Sequence, residues 1–257
     1  MSAKSRPPPV VLMYHSIAPY SEDPYNVTIR PDRFEQQMGW LAARGLRGVS
    51  MATLLSARQH GSDAGLVGLT FDDGYHDFLR HALPVLLKHG FGATAFLIAG
   101  RIGGDNAWDN RGPRKPLLTA SQVNEVAAAG IEIGSHGLRH IDLQHITDLA
   151  LVREQGQSRK ILQDLTGSPV RGFCYPYGFL NYRVIDGVRG AGYEYGCAIW
   201  TSELTGAYAV PRVYVGDADG PARLRAKWLR HSLTWRNACR PADAGQPAGP
   251  ALQPAAT

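Results

Sequence analysis

"VGLTFDDGYHD", residues 67–77, runs an apolar stretch into two adjacent carboxylates and then a glycine. Val67–Phe71 has the length and apolar continuity of a strand covered on both faces, the pattern of a parallel sheet flanked by helices. Comparable runs recur at 10–14, 46–49, 93–98, 131–133, 170–175 and 193–199. Helix-like stretches lie between them at 31–44, with Pro31 near its start, 76–89, 119–129 opened by "TASQ", 143–166 and 179–190. No repeat at a fixed period accompanies them. Strand alternating with helix predicts an α/β fold with a mostly parallel sheet, open or closed into a barrel. In that architecture the strands present their C-terminal ends on one face, where active sites form.

The 257 residues, 44% of them hydrophobic, suffice for one such domain, and one domain over 10–240 is the expectation. Residues 1–9 read as an N-terminal extension. Residues 241–257, "PADAGQPAGPALQPAAT" after Arg240, are rich in Pro, Ala and Gly with almost no charge, the composition of a disordered tail. No apolar run of signal-peptide or membrane-spanning length is present, so the expected location is cytoplasmic. Cys174, Cys197 and Cys239 are odd in number and lack C-x-x-C spacing, which excludes a disulfide framework and a zinc knuckle and fits reduced thiols. A net charge of +5 is scattered and comes with no nucleic-acid motif, so no nucleic-acid partner is expected. The basic stretch 221–240, with Leu224, Trp228 and Leu229 on one helical face, reads as a last helix packed on the domain. Peripheral contact with an anionic membrane surface through it is the one membrane association the pattern supports. Oligomeric state is left open.

The strand-like runs end in chemically capable residues. His15 comes directly after the first; Asp72 and Asp73 come after 67–71; "GSHGLRH" comes after 131–133; "PYG" comes after 170–175. His136 and His140 are four apart, which on a helical turn sets the imidazoles about 6 Å apart, within reach of one metal ion. Two surface histidines share that spacing, and aspartates at strand ends often cap the next helix. The strand-end position favours chemistry: two histidines and one carboxylate make a facial ligand set with positions open for water and substrate. The second carboxylate then serves as general base towards the water. Gly74 permits the tight turn that brings both to the rim. Trp108, on the long loop 99–116, is placed to stack on a ligand ring, as are Tyr14, Tyr175 and Tyr177, although core packing accounts for some of these.

"TFDDGY" (70–75), "SHGLRH" (135–140) and "FCYPYG" (173–178), in that order and preceded by "VLMYHSI" (11–17), resemble the motifs of the NodB-like polysaccharide deacetylases, carbohydrate esterase family 4. The resemblance spans roughly residues 8 to 216 and three ordered motifs. It implies a distorted (β/α) barrel of about seven parallel strands and metal-dependent removal of an acetyl group from an N-acetylated sugar. On matching positions it makes Asp72 the base and Asp73, His136 and His140 the ligands of a divalent metal, zinc first, with cobalt, nickel or manganese also suited to the set. It gives the Tyr177 backbone N–H an oxyanion-stabilising role and lets Tyr175 and Pro176 form a wall of the sugar groove. The opening "YH" resembles the branch acting on biofilm polysaccharides, which implies His15 as the acid for the leaving amine, its pKa raised by a neighbouring carboxylate.

Two departures stand out. Cys174 occupies a position that in many members is an arginine steadying the base, so Arg171 or Arg212 has to replace it, with Arg212 preferred because it follows the last strand-like run. Leu229, Arg230 and His231 spell the family's leucine-x-histidine acid motif, but within a helix rather than at a strand end. The expected partner is an N-acetylhexosamine in a glycan, glycolipid or glycoside precursor. A catalytically silent carbohydrate-binding protein with the same groove is the alternative, weakened by the retention of Asp72. An Fe(II) oxygenase would use a similar ligand set, but on an antiparallel barrel and with H-x-D spacing.

Overall fold

The computed structural model describes residues 9–238; most of the stretch read as an N-terminal extension, Cys239 and the tail at 241–257 lie outside the described residues. Along its first edge β5 (Leu66–Phe71) pairs in parallel with β1 (Val11–Tyr14). On the other edge it pairs with β4 (Arg47–Val49) at its start and β6 (Thr94–Leu97) at its end. The sheet continues through β7 (Glu132–Ser135), β8 (Gly172–Cys174) and β9 (Tyr195–Cys197), while β10 (Val213–Tyr214) flanks β1. Every pairing is parallel. A two-stranded ribbon, β2 (Ser16–Ile17) with β3 (Thr28–Ile29), sits after β1.

The segment 207–214 joins the two ends of the sheet. Val210 donates to the Gly196 carbonyl (2.8 Å) and accepts from the Ala198 N–H (2.9 Å), so it pairs with β9. Beyond it, Val213 and Tyr214 pair with β1. The result is a distorted (β/α) barrel with seven strands along its path and β4 beside it. Arg212 lies where this segment passes from β9 to β1, which aims its side chain at the barrel interior.

The helices follow from local sequence. α1 (Pro31–Ala42) has proline at its start and buries Phe34, Met38 and Leu41 at helical spacing. α4 (Ala120–Ala128) opens on the capping box Thr119/Gln122 that "TASQ" spells. α2 (Met51–His60), begun by Ser50 and ended by Gly61, was not among the expected helices: it buries only Met51 and Leu54 and so shows no apolar stripe. The expected helix 76–89 begins as a π-helical stretch at 78–82 before α3 (Leu83–Lys88). The expected 143–166 divides into a 3₁₀ turn at 143–145, α5 (Asp148–Val152), a π-helical stretch at 153–157 and α6 (Ser158–Thr166). α7 (Tyr182–Gly190) and α8 (Pro221–Ala238) complete the chain. No helix among the described residues is long and apolar enough to cross a membrane.

Core packing places the site. Tyr14 and Phe71, the last residues of β1 and β5, stack at 5.2 Å, and Phe34 of α1 meets Tyr14 edge-on at 5.3 Å. The Asp72 N–H donates to the Tyr14 carbonyl (2.9 Å). Because strand side chains alternate, Thr70 and Asp72 face the barrel interior while Phe71 faces the helices. His15 and Asp72 therefore leave adjacent, firmly anchored strand ends.

Candidate active site

Asp72 is 3% exposed and held by one guanidinium. Arg212 donates through Nη1 to Oδ1 (2.7 Å) and through Nη2 to Oδ2 (2.8 Å). It also donates to Thr70 Oγ1, Cys174 Sγ and the Ala198 carbonyl, so all five of its N–H groups are used. Burial alone would raise the Asp72 pKa, but Arg212 outweighs it and keeps the carboxyl well below the usual range. Of the two arginines offered for this task, Arg212 makes the contact; Arg171 sits at the surface, 3.7 Å from Glu194. The Cys174 thiol lies 3.5 Å from Asp72 Oδ2, and the space a larger side chain would need at position 174 is filled by Arg212 from across the barrel. Asp72, His136 and Cys174 also cluster closely enough to suggest a second cation site, but Arg212 is already the cation there.

Asp73 turns the other way. Its φ of 74° places it in the left-handed region, and Gly74 follows at 76°. A Cβ on Gly74 would approach Leu97 Cδ2 to 2.7 Å, so only glycine completes the turn. Asp73 Oδ1 lies 3.4 Å from both His136 Nε2 and His140 Nε2. His136 Nδ1 donates to the Cys174 carbonyl (2.8 Å), which leaves the Nε2 lone pair facing Asp73. Burial and the neighbouring Asp72 push the Asp73 pKa well up, and burial pushes both histidines down. Asp73 Oδ1 is buried without a hydrogen-bond partner among the described residues. A buried carboxylate oxygen left unpaired between two imidazole Nε2 atoms fits a divalent cation, whose charge would reverse those shifts.

The two histidines do not share a helical turn. His136 directly follows β7, and 137–140 form an irregular loop in which Gly137 (φ 80°) and His140 (φ 61°) are left-handed; the rings meet at 4.9 Å. Glu154, fully buried, shapes this loop. It accepts the backbone N–H groups of Leu138 (2.8 Å) and Arg139 (3.2 Å) and pairs with Arg139 Nε (2.6 Å). Sequence reasoning missed it, although Leu151, Glu154, Ser158 and Leu162 share one face of the expected helix. Glu154→Ala would strand two backbone donors at about 1–3 kcal/mol each. The expected melting temperature falls by roughly 4–24 °C at about 2–4 °C per kcal/mol for a chain of this size. Glu154→Gln, whose amide oxygen still accepts both bonds, should lose much less, and Arg139→Ala, at a 58% exposed side chain, almost nothing. Thermal melts of the three variants check this; equal stability of Glu154→Ala and wild type refutes it.

His140 is flanked by Trp108 (4.8 Å) and Tyr177 (4.5 Å). Trp108 thus reaches the cluster from the loop at 99–116. Tyr177 has φ 58°, and its 43% exposed ring faces solvent. The two bonds closing its turn are donated by Gly178 and Phe179, not by Tyr177. Tyr175 does not line the groove: it is 1% exposed, packs on Phe173 and donates its hydroxyl to the Tyr208 carbonyl (2.7 Å). Pro176 is buried as well, near Gly137. Strand alternation turns Tyr175 inward, and the exposed aromatics of this stretch are Tyr177 and Phe179.

His15, 16% exposed, sets Nε2 3.9 Å from Asp72 Oδ2. The expected rise in its pKa is not what the surroundings produce. Burial pulls it down to about 4, more strongly than Asp72 pulls it up, with Arg212 and His136 adding to the fall. The guanidinium paired with Asp72 opposes the pull of the carboxylate on which the expectation rested. His231, on α8, instead faces the Pro9 carbonyl (3.1 Å), before the start of β1.

The parallel barrel thus brings together at its strand ends an arginine-bound carboxylate, a second carboxylate flanked by two histidines that could hold a cation, and an aromatic rim. The polysaccharide deacetylase family model matches residues 59–196, and the chain belongs to that family. It is 31% identical over 210 residues to a Bacillus subtilis (strain 168) protein bearing the name "Putative polysaccharide deacetylase YxkH", covering 80% of this chain and 70% of that one. It is 23% identical over 221 residues to the poly-β-1,6-N-acetyl-D-glucosamine N-deacetylase of Staphylococcus aureus (strain MSSA476), covering 81% and 74%. Among solved structures, IcaB from Ammonifex degensii superposes with a TM-score of 0.70 at 27% identity, covering 87% of this chain and 97% of that one. Streptococcus pyogenes deacetylase PplD, in complex with acetate, gives 0.74 at 23% identity, covering 87% and 99%, and shares the fold.

Proposed function

We propose that this chain removes the acetyl group from an N-acetylhexosamine unit of a glycan, glycolipid or glycoside precursor, releasing acetate and a free amine, with a divalent metal held by Asp73, His136 and His140. The observation that carries the reading is the unpaired Asp73 Oδ1, buried between two Nε2 atoms at 3.4 Å. The metal would supply electrophilic polarisation of the acetyl carbonyl and of water. Asp72 takes the proton of the attacking water, and Arg212 keeps it ionised and fixes its two oxygens. The Tyr177 N–H faces the developing oxyanion. His15 delivers a proton to the departing nitrogen, and Trp108 and Tyr177 border the sugar. Zinc is the metal we favour, because it suits two imidazoles and one carboxylate with positions left open.

The test is acetate and amine release from a panel of N-acetylated oligosaccharides and lipid-linked sugars, before and after chelation and with zinc, cobalt, nickel or manganese restored. Activity that stops on chelation and returns with metal is expected; no acetate from any substrate with any metal would leave a carbohydrate-binding protein. Asp73→Ala, His136→Ala and His140→Ala should each purify with well under one metal ion per chain, because each removes one of three ligands. Near-stoichiometric metal in all three disproves the ligand set.

A further inference from the structure

Beside the strand ends lies a cavity of about 780 Å³, lined in part by Arg33 of α1 and by Arg223, Lys227 and Arg230 of α8. That volume lies in the range of small-ligand sites. Its wall reaches the level at which the strands end. Val215 donates to the Met13 carbonyl (3.1 Å), so β10 runs in step with β1, and Gly216 on the cavity wall lies level with the strand end that His15 follows. Asp23, also on the wall, is near enough to bear on His15 electrostatically.

Three carboxylates line the cavity and all are engaged. Asp23 accepts the N–H groups of Val27 and Thr28. Asp217 accepts from Tyr20, from the Arg30 N–H and from the Arg30 guanidinium. Asp219 accepts from Gly216 and pairs with Lys227. The remaining cations are Arg33, Arg223 and Arg230, and none has a carboxylate within ion-pair distance among the described residues. They converge: Arg223 donates to the Ala218 carbonyl (3.3 Å), and the Arg33 Nη1 lies 3.6 Å from where a Cβ on Gly220 would stand, so both guanidiniums border the same short loop from opposite walls. Arg223, Lys227 and Arg230 fall at i, i+4 and i+7, one face of α8. Unpaired arginines on an exposed helix are commonly a solvated face. These instead flank a concavity near the strand ends, where Asp217 and Asp219 are already paired with Arg30 and Lys227 and Asp23 is held by backbone N–H groups.

We propose that this cavity is a subsite for an anionic group of the carbohydrate substrate, a phosphate ester or a uronate carboxylate carried on a sugar beside the one that loses its acetyl group. It rests on the deacetylase reading and narrows its substrate class. Guanidinium groups suit either anion, since both present paired oxygens to planar N–H forks.

The test uses N-acetylglucosamine oligomers of one length in three forms: neutral, phosphorylated, and containing a uronic acid. Calorimetric binding and steady-state turnover are both read. Wild type should bind an anionic form at least tenfold more tightly than the neutral one, with the preference shrinking as salt rises. Arg33→Gln with Arg223→Gln should weaken binding and raise KM for the anionic form about 10- to 100-fold, the loss expected of one or two charge-assisted hydrogen bonds. kcat and KM for the neutral form should stay within about twofold. Arg230→Gln, at an exposed position, gives a smaller loss of the same selectivity and serves if the double variant folds poorly. The phosphorylated and uronic arms tell which anion is used. Equal binding of all three forms by wild type, or equal weakening of neutral and anionic forms in the variants, overturns the subsite. Selective binding without acetate release would retain the subsite and sink the deacetylase reading.

Discussion

Asp72→Asn is expected to keep its metal and lose turnover by roughly 10² to 10⁴ fold. The two neighbouring carboxylates sit in opposite electrostatic surroundings. Asp73 is the one within 4.8 Å of both histidine ligand atoms, whereas both oxygens of Asp72 are taken by Arg212. An amide at position 72 has nearly the same shape, still accepts one bond from Arg212, and cannot take a proton from water. Metal content by elemental analysis should therefore match wild type while acetate release collapses. Asp73→Asn should do the reverse in order of cause, losing metal first and activity with it. Wild-type turnover in Asp72→Asn would remove this residue as the base, and loss of metal from the same variant would end the division of labour between the two.

The pair of adjacent acids after a strand was legible in the sequence, and the barrel was legible as alternation: β1, β4 to β9, α1, α4 and α7 fall within a few residues of where the apolar runs place them. What was not legible depends on contacts distant along the chain or on backbone conformation. β10 is two residues long and becomes a strand only because 207–212 has already paired with β9. The Asp72–Arg212 pair spans 140 residues; the family resemblance pointed to Arg212, but no periodicity fixes its two-pronged contact or its bond to Cys174. Asp73, His140 and Tyr177 are three of the four non-glycine residues with positive φ among those described. Such conformations cost of order 1–3 kcal/mol each and persist where surrounding structure imposes them. A spacing rule that assumes regular helix therefore gave the wrong backbone for His140, although its ring does lie beside His136 and Asp73. Tyr175 and Pro176 were misassigned for a related reason: an aromatic stretch at a strand end has two faces, and composition does not say which one meets solvent.

His15→Ala is expected to cripple cleavage of an N-acetylated sugar by about 10² to 10⁴ fold and to harm an activated acetyl ester much less. An amine leaves poorly as an anion, so the nitrogen must be protonated as the carbon–nitrogen bond breaks; a phenolate-type leaving group needs no such help. The depressed pKa of about 4 means that His15 rests as a neutral imidazole, and its proton must arrive during turnover. Asp72 is the source at hand, 3.9 Å away, and Arg212 makes its protonated form a strong acid. In the proposed mechanism, a proton taken from water by Asp72 would pass to His15 and on to the amine. Substitution of His231, which faces the Pro9 carbonyl, should leave the ratio of amide to ester rates unchanged. Equal damage to both substrates in His15→Ala would make it a packing residue at the barrel mouth, and a selective loss in His231→Ala alone would move the acid to α8.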